Sequence, residues 1–300
     1  MAGADVDMVS MSQPSSAAWR ILLPATGVIF LHWHTLRFLV SRWYSFPDDS
    51  YGFFVPLVAL YLVWLKRKEL ARIQTRPSRV GFPILALALL LQLAGVIVNI
   101  GHVQAVSLVV LILGVVLLLG GKELLAALSF QILYLLIMIP MPGVVYGWFA
   151  FPLQLLASGA SATILELLRI PVDQQGNVFH LSGITLQVAE ACSGIRSLVG
   201  LLGMGILLGY LTTPRLWERV TLALSAILIA VAANIIRVAG TGIIYQYAGE
   251  KWGQGFYHGF SAWLVFVFAM VVLLAESVSI SALFPLKSKA VKTPGKEAAQ

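Results

Sequence analysis

Gln104-Ala105-Val106-Ser107-Leu108-Val109-Val110-Leu111-Ile112-Leu113-Gly114-Val115-Val116-Leu117-Leu118-Leu119-Gly120 contains no charged residue. Wound as a helix, it is apolar on nearly every face and has no side to turn to water. About 20 such residues cover the roughly 30 Å hydrocarbon core of a bilayer, so the stretch reads as a membrane crossing. Working outward, comparable runs fall near 20–40, 80–99, 123–140, 194–212, 220–239 and 258–282. A shorter run, 52–65, is bracketed by Tyr51 and Trp64, aromatic residues of the kind that anchor a span at the membrane boundary. Composition agrees: of 300 residues, 59% are hydrophobic and 11% charged, and the mean hydropathy is +0.89. The predicted fold class is an all-α polytopic membrane protein with about eight transmembrane helices.

The segment 144–169 departs from the pattern. It is apolar in parts but carries Gln154, Ser158, Ser161, Thr163, Glu166 and Arg169, with Pro140, Pro142 and Pro152 around its start. Loop charge supplies a reading. Lys66, Arg67, Lys68, Arg72, Arg76 and Arg79 make the most basic loop, which the positive-inside rule assigns to the cytoplasm. Counting spans from there, Lys122, Arg215, Arg219 and the tail lysines from Lys287 onward all lie inside only if 144–169 does not cross. That segment is therefore expected as an outer amphipathic or re-entrant helix. Both termini are then cytoplasmic, with tails over 1–19 and 287–300 flanking a single transmembrane domain over 20–286. The first span runs against the rule, with Asp5 and Asp7 before it and Arg37 and Arg42 at its outer end. The net charge of +7 and pI near 9.6 come from basic loops between apolar runs. This is a signature of orientation in a lipid membrane rather than of nucleic-acid binding.

The chemistry-bearing residues gather in the second half. Val178–Leu181 and Ile184–Val188 alternate around Ser182-Gly183 and predict a small hairpin that delivers Cys192 to the membrane surface. Cys192 is the only cysteine, which excludes a disulfide framework and a four-cysteine zinc site. Neither His-Glu-x-x-His nor Gly-x-Ser-x-Gly occurs, and no cofactor or metal is expected. From Cys192 a helix runs inward to the turn Thr212-Thr213-Pro214-Arg215, and the next returns Asn234 and Arg237 to the outer surface. A loop with Tyr245, Tyr247 and Trp252 then leads to His258 at the start of the last span. Cys192, Arg237 and His258 thereby reach one leaflet from three helices. Ionisation of a thiol is favoured by a nearby cation or a helix N-terminus, and Ser193 and Gly194 leave backbone N–H groups open toward Cys192. An arginine in the membrane usually has a partner or a task, here an oxyanion. A histidine can protonate a leaving amine. Arg196 is an alternative cation, and His180 and His102 are rival bases. His32 and His34, with Arg37, lie in the first span, where interhelical hydrogen bonding is the expected role.

Ala191-Cys192-Ser193-Gly194-Ile195-Arg196-Ser197, Asn234-Ile235-Ile236-Arg237, and His258-Gly259 before an apolar span resemble the exosortase/archaeosortase family of membrane-embedded cysteine transpeptidases. The resemblance extends over most of the chain and implies catalytic Cys192, Arg237 and His258. It also implies a site facing the periplasm of a bacterial inner membrane. The implied substrates are membrane-anchored proteins with a C-terminal sorting signal: a Pro-Glu-Pro-type motif, a transmembrane helix and a basic end. Attack by Cys192 would form a thioester, later resolved by an amine or water. Family members are linked to exopolysaccharide production and surface-protein export. A competing class is a polytopic transporter or scaffold of exopolysaccharide export, in which Arg237 and the histidines line a path and Cys192 is dispensable.

Overall fold

The computed structural model describes residues 26–28, 30–181, 184–187, 194–249 and 256–284. The chain divides into two compact units, Met1–Pro142 and Gly143–Gln300. The protein is an all-α polytopic membrane protein, with one small sheet.

In the first unit, α1 (Trp33–Ser45) leads through a 3-10 turn (Pro47–Phe53) into α2 (Phe54–Leu65). Proline opens the turn, where its missing N–H is no loss. The turn gives the short run 52–65 its reach: Pro47–Leu65 is 19 residues, long and apolar enough to cross. A 3-10 segment rises about 2 Å per residue against about 1.5 Å in an α-helix. The short α3 (Arg67–Leu70) and the basic loop precede α4 (Gly81–Ile97) and α5 (Gly101–Tyr134), which ends in a second 3-10 turn, Leu135–Met138.

α5 is not one rod, because Gly121 takes φ 81° and ψ −171° within it. Both ends return to α1. A Cβ on Gly101 would stand 2.6 Å from the Phe38 ring, and the Trp43 indole N–H donates to the Met138 carbonyl at 2.9 Å. A straight helix over the 38 residues Gly101–Met138 would hold those ends roughly 55 Å apart. Gly121 is therefore a reversal, and two passes form where 104–120 and 123–140 were expected. Arg76 N–H donates to Gly120 O and Ser78 N–H to Leu117 O, each at 3.3 Å, satisfying carbonyls at the break. Lys122 thus shares an end with the basic loop, as the charge count requires. Between the passes, His32 Nε2 meets Ser107 Oγ at 3.1 Å, Ser107 donates to Gln92 Oε1 at 2.8 Å, and Gln92 Nε2 donates to Thr35 Oγ1 at 3.3 Å. His32 is thus an interhelical hydrogen-bonding residue, while His34 and Arg37 are exposed.

The second unit opens with α6 (Gly143–Leu167), followed by a three-stranded antiparallel meander, β1 (Val172–Gln175), β2 (Val178–Leu181) and β3 (Ile184–Gln187). The expected hairpin is β2–β3, with Leu181 paired to Ile184. β1 was not anticipated, since Asp173, Gln174 and Gln175 are poor strand formers. Gly176 at φ 64° turns it onto β2, with Gln175 paired to Val178. Phe179 is buried with Ala157, Ala162 and Val238, and Leu181 with Leu165 and Ile170. One face of the meander is thereby fixed to the helices.

α6 is the helix expected over 144–169. It is continuous for 25 residues and long and apolar enough to cross. Ser161 Oγ donates to Ile235 O at 3.0 Å, and a Cβ on Gly242 would lie 2.9 Å from Leu165. Contacts thus climb both helices together, so α6 runs in the same direction as α8 (Leu216–Ala248) rather than across its end. Its polar face turns to the protein. Gln154, Ser158 and Ser161 are buried, while Trp148, Phe149, Phe151 and Leu156 are exposed. Apolar side chains favour the lipid, and Ser161 of the polar stripe finds its partner inside the protein, in the Ile235 carbonyl.

α7 (Ile195–Thr212), α8 and α9 (Phe256–Leu283) form a bundle around Leu201, Leu208, Leu222, Ala226, Ala230, Ala233, Ala269 and Leu273. Gly205 lets α7 approach α8 closely: a Cβ there would stand 2.8 Å from Leu222 O and 2.9 Å from Ala226 Cβ. Small residues permit the backbone contact that holds helices together in lipid. α8 also corrects an expectation, because Tyr245 and Tyr247 lie on the helix and not in a loop. Gly240-Thr241-Gly242 reads as a helix end. Packing of Gly242 on Leu165, with the Thr241 hydroxyl donating to Arg237 O at 2.9 Å, carries the helix through it. Trp252 lies outside the described residues.

Candidate functional site

α7 and α8 are antiparallel and in register. At one end, a Cβ on Gly209 would lie 3.0 Å from Arg219 Cα; at the other, a Cβ on Gly194 would lie 2.8 Å from Asn234 Cγ. The two contacts are the same number of residues apart on each helix, about 22 Å of rise. A second tie fixes α9. Thr212 Oγ1 and Ser277 Oγ are 2.9 Å apart. Back from this tie, Gly194 lies about 27 Å along α7 and His258 about 28 Å along α9. The backbone of His258 is therefore level with Gly194. Asn234 faces Gly194, and Arg237 follows one turn further along the same face of α8. Three helices thus bring Gly194, Asn234 with Arg237, and His258 to one end of the bundle.

Gly194 is the N-cap of α7, with φ 81° and ψ −2°. A side chain there would be strained by the backbone angle and would collide with Asn234. Glycine at this position lets the strand-to-helix entry lie against α8. Asn234 is 5% and Arg237 8% exposed, an unusual depth for a guanidinium, which is costly to bury unless engaged.

Cys192 and Ser193 lie outside the described residues, as do the side chains of Arg196 and His258. His180 falls on β2 between the inward-facing Phe179 and Leu181, so it points to the opposite face of the meander, opposite Asp173 and Thr185. His102 belongs to the first unit, where its ring meets Phe38 edge-on with centroids 5.5 Å apart.

Sequence reading missed the contribution of α6. Leu153 and Ala157 join Gly194, Leu198, Ala230, Val231 and Asn234 around a recess at this end of the bundle. The signal was present: Gln154, Ser158 and Ser161 fall at helical spacing and mark one face of α6 as buried.

These features define a polytopic membrane protein in which one helical bundle carries Gly194, Asn234, Arg237 and the backbone of His258. The family model described as transmembrane exosortase matches residues 43–275. The chain belongs to the transmembrane exosortase family, whose members are generally membrane cysteine proteases or transpeptidases acting on membrane-associated proteins. No curated protein and no solved structure matches it.

Proposed function

We propose that this protein is a cysteine transpeptidase that cleaves C-terminal sorting tails at the outer face of the bacterial inner membrane. The observation that carries the reading is the shared level of Gly194, Asn234–Arg237 and His258 on three packed helices. Cys192 is two residues from Gly194, at most about 7 Å of chain. The sulfur is thereby tethered near the N-terminus of α7, whose dipole favours a thiolate.

Cys192 thiolate attacks the carbonyl carbon of the scissile peptide. Arg237 donates hydrogen bonds to the oxyanion that develops. His258 gives a proton to the departing amine as the C–N bond breaks, leaving a thioester on Cys192. An amine or water then attacks the thioester, His258 takes the proton, and the thiolate is released. Arg196 and His180 are the alternative cation and base. Side assignment rests on charge: Arg215 and Arg219 stand at the opposite end of the bundle from Gly194, and the lysines of 287–300 follow α9. On that charge count, in which 144–169 does not cross, both tails, 1–19 and 287–300, lie in the cytoplasm around a single domain over 20–286.

The test is co-expression with a reporter ending in a Pro-Glu-Pro motif, a transmembrane helix and a basic end. Cys192→Ala and Cys192→Ser should reduce tail cleavage by at least about 10³-fold at unchanged protein level. Normal cleavage by Cys192→Ala would remove the nucleophile and favour a transporter or scaffold.

A further inference from the structure

The recess beside Gly194 has walls of one kind. Leu153 and Ala157 of α6, Leu198 of α7, and Ala230 and Val231 of α8 line it, and among the described residues Asn234 is the one polar side chain in the lining and no charged group joins it. Leu198 is one turn along α7 from Gly194, and Ala230 and Val231 are about one turn along α8 from Asn234. The recess therefore runs from the Gly194–Asn234 contact into the bundle. The recess has room for roughly one water-sized group. A methyl side chain fits that space, whereas an aromatic ring does not. The described walls are aliphatic apart from the Asn234 amide, so a charged side chain lying against them loses water without compensation from those walls.

We infer that this recess is the side-chain pocket of the peptide substrate, taking a small aliphatic residue next to the bond that Cys192 attacks, with Asn234 at its rim positioned to hold a neighbouring backbone amide. The inference rests on the cysteine-nucleophile reading and adds to it the substrate class at one subsite. Gly194 is shared by both. As the glycine two residues after Cys192, it ties the entrance of the pocket to the nucleophile by a short length of chain. The pocket selects by size because its walls belong to three tightly packed helices and yield little.

The purified full chain tests this directly, since Cys192 is its only thiol. Two peptidyl chloromethyl ketones, identical except for alanine or phenylalanine beside the reactive carbon, are compared by intact-mass detection of the adduct. The thiolate sulfur displaces chloride, forming one C–S bond and releasing one chloride ion. Each rate is divided by the same protein's rate with iodoacetamide, which carries no side chain. The alanine ketone is expected to react at least about tenfold faster than the phenylalanine ketone, a difference of about 1.4 kcal/mol. Leu153→Ala and Val231→Ala, which open the recess without adding bulk, should shrink that ratio several-fold. A ratio near one in the parent protein, or one unmoved by both variants, overturns the pocket. If tail cleavage remains dependent on Cys192 in that case, the enzyme reading stands and only the pocket falls. Cleavage independent of Cys192 removes both.

Discussion

Gly194→Ala should damage the site while leaving most of the bundle intact. At φ 81°, alanine pays about 1–2 kcal/mol that glycine does not. Its Cβ would lie 2.8 Å from Asn234 Cγ and 3.0 Å from both Asn234 Cβ and Nδ2. Carbon–carbon contacts settle near 3.5–4.0 Å, so the pair must separate by roughly 0.7 Å. Overpacking of this kind adds about 1–3 kcal/mol. The total, about 2–5 kcal/mol, is relieved chiefly by moving Gly194 off α8, which on the proposed mechanism disturbs the approach of Cys192 to Arg237. If only 1.4 kcal/mol of this appears in the transition state, the rate falls tenfold. Tail cleavage of the reporter and thermal unfolding in detergent are the paired measurements. The expected result is at least tenfold slower cleavage with a melting temperature lowered by several degrees. Adding Asn234→Ala removes the Cγ and Nδ2 overlaps. The double variant should regain part of the lost melting temperature, because the left-handed backbone cost remains. A Gly194→Ala protein that cleaves and melts like the parent would refute the seating of this turn against Asn234.

Gly205→Val should cost about 2–3 kcal/mol, since its Cβ would meet Leu222 O at 2.8 Å and a backbone carbonyl cannot turn aside; unfolding in detergent checks this. Arg42→Ala should lower stability by about 1–3 kcal/mol, because it strips the 2.8 Å ion pair from Asp49, which is 8% exposed. Adding Asp49→Asn should return most of that loss, a thermal-melt comparison that distinguishes an unpaired carboxylate from lost packing.

Much of the architecture was legible because membrane crossings are written in one dimension. The run from Gln104 to Gly120 and the charge at Lys122 announced a pass, an end and a return, and Gly121 makes that reversal. The hairpin before Cys192 was equally readable from alternation at Val178–Leu181 and Ile184–Val188. Local pattern misled where packing overrode it. The run near 220–239 was expected to give way to a loop holding Tyr245 and Tyr247, but contact of Gly242 with Leu165 continues α8 to Ala248. The buried face of 144–169 along α8 was encoded by Gln154, Ser158 and Ser161, whereas loop charge speaks only to whether the segment crosses.

The sequence by itself determined the solvent, the helical polytopic class, and the residue types able to act as nucleophile, cation and base. These follow from hydropathy, charge and side-chain chemistry, which belong to each residue wherever it lies. Only the tertiary structure decided that Gly194 meets Asn234, that His258 is level with both, and that α6 supplies two walls of the recess. Such facts depend on how helices slide and face one another. That register is set by small residues such as Gly205 and Gly209 letting backbones touch, a relation between distant segments that no local pattern records.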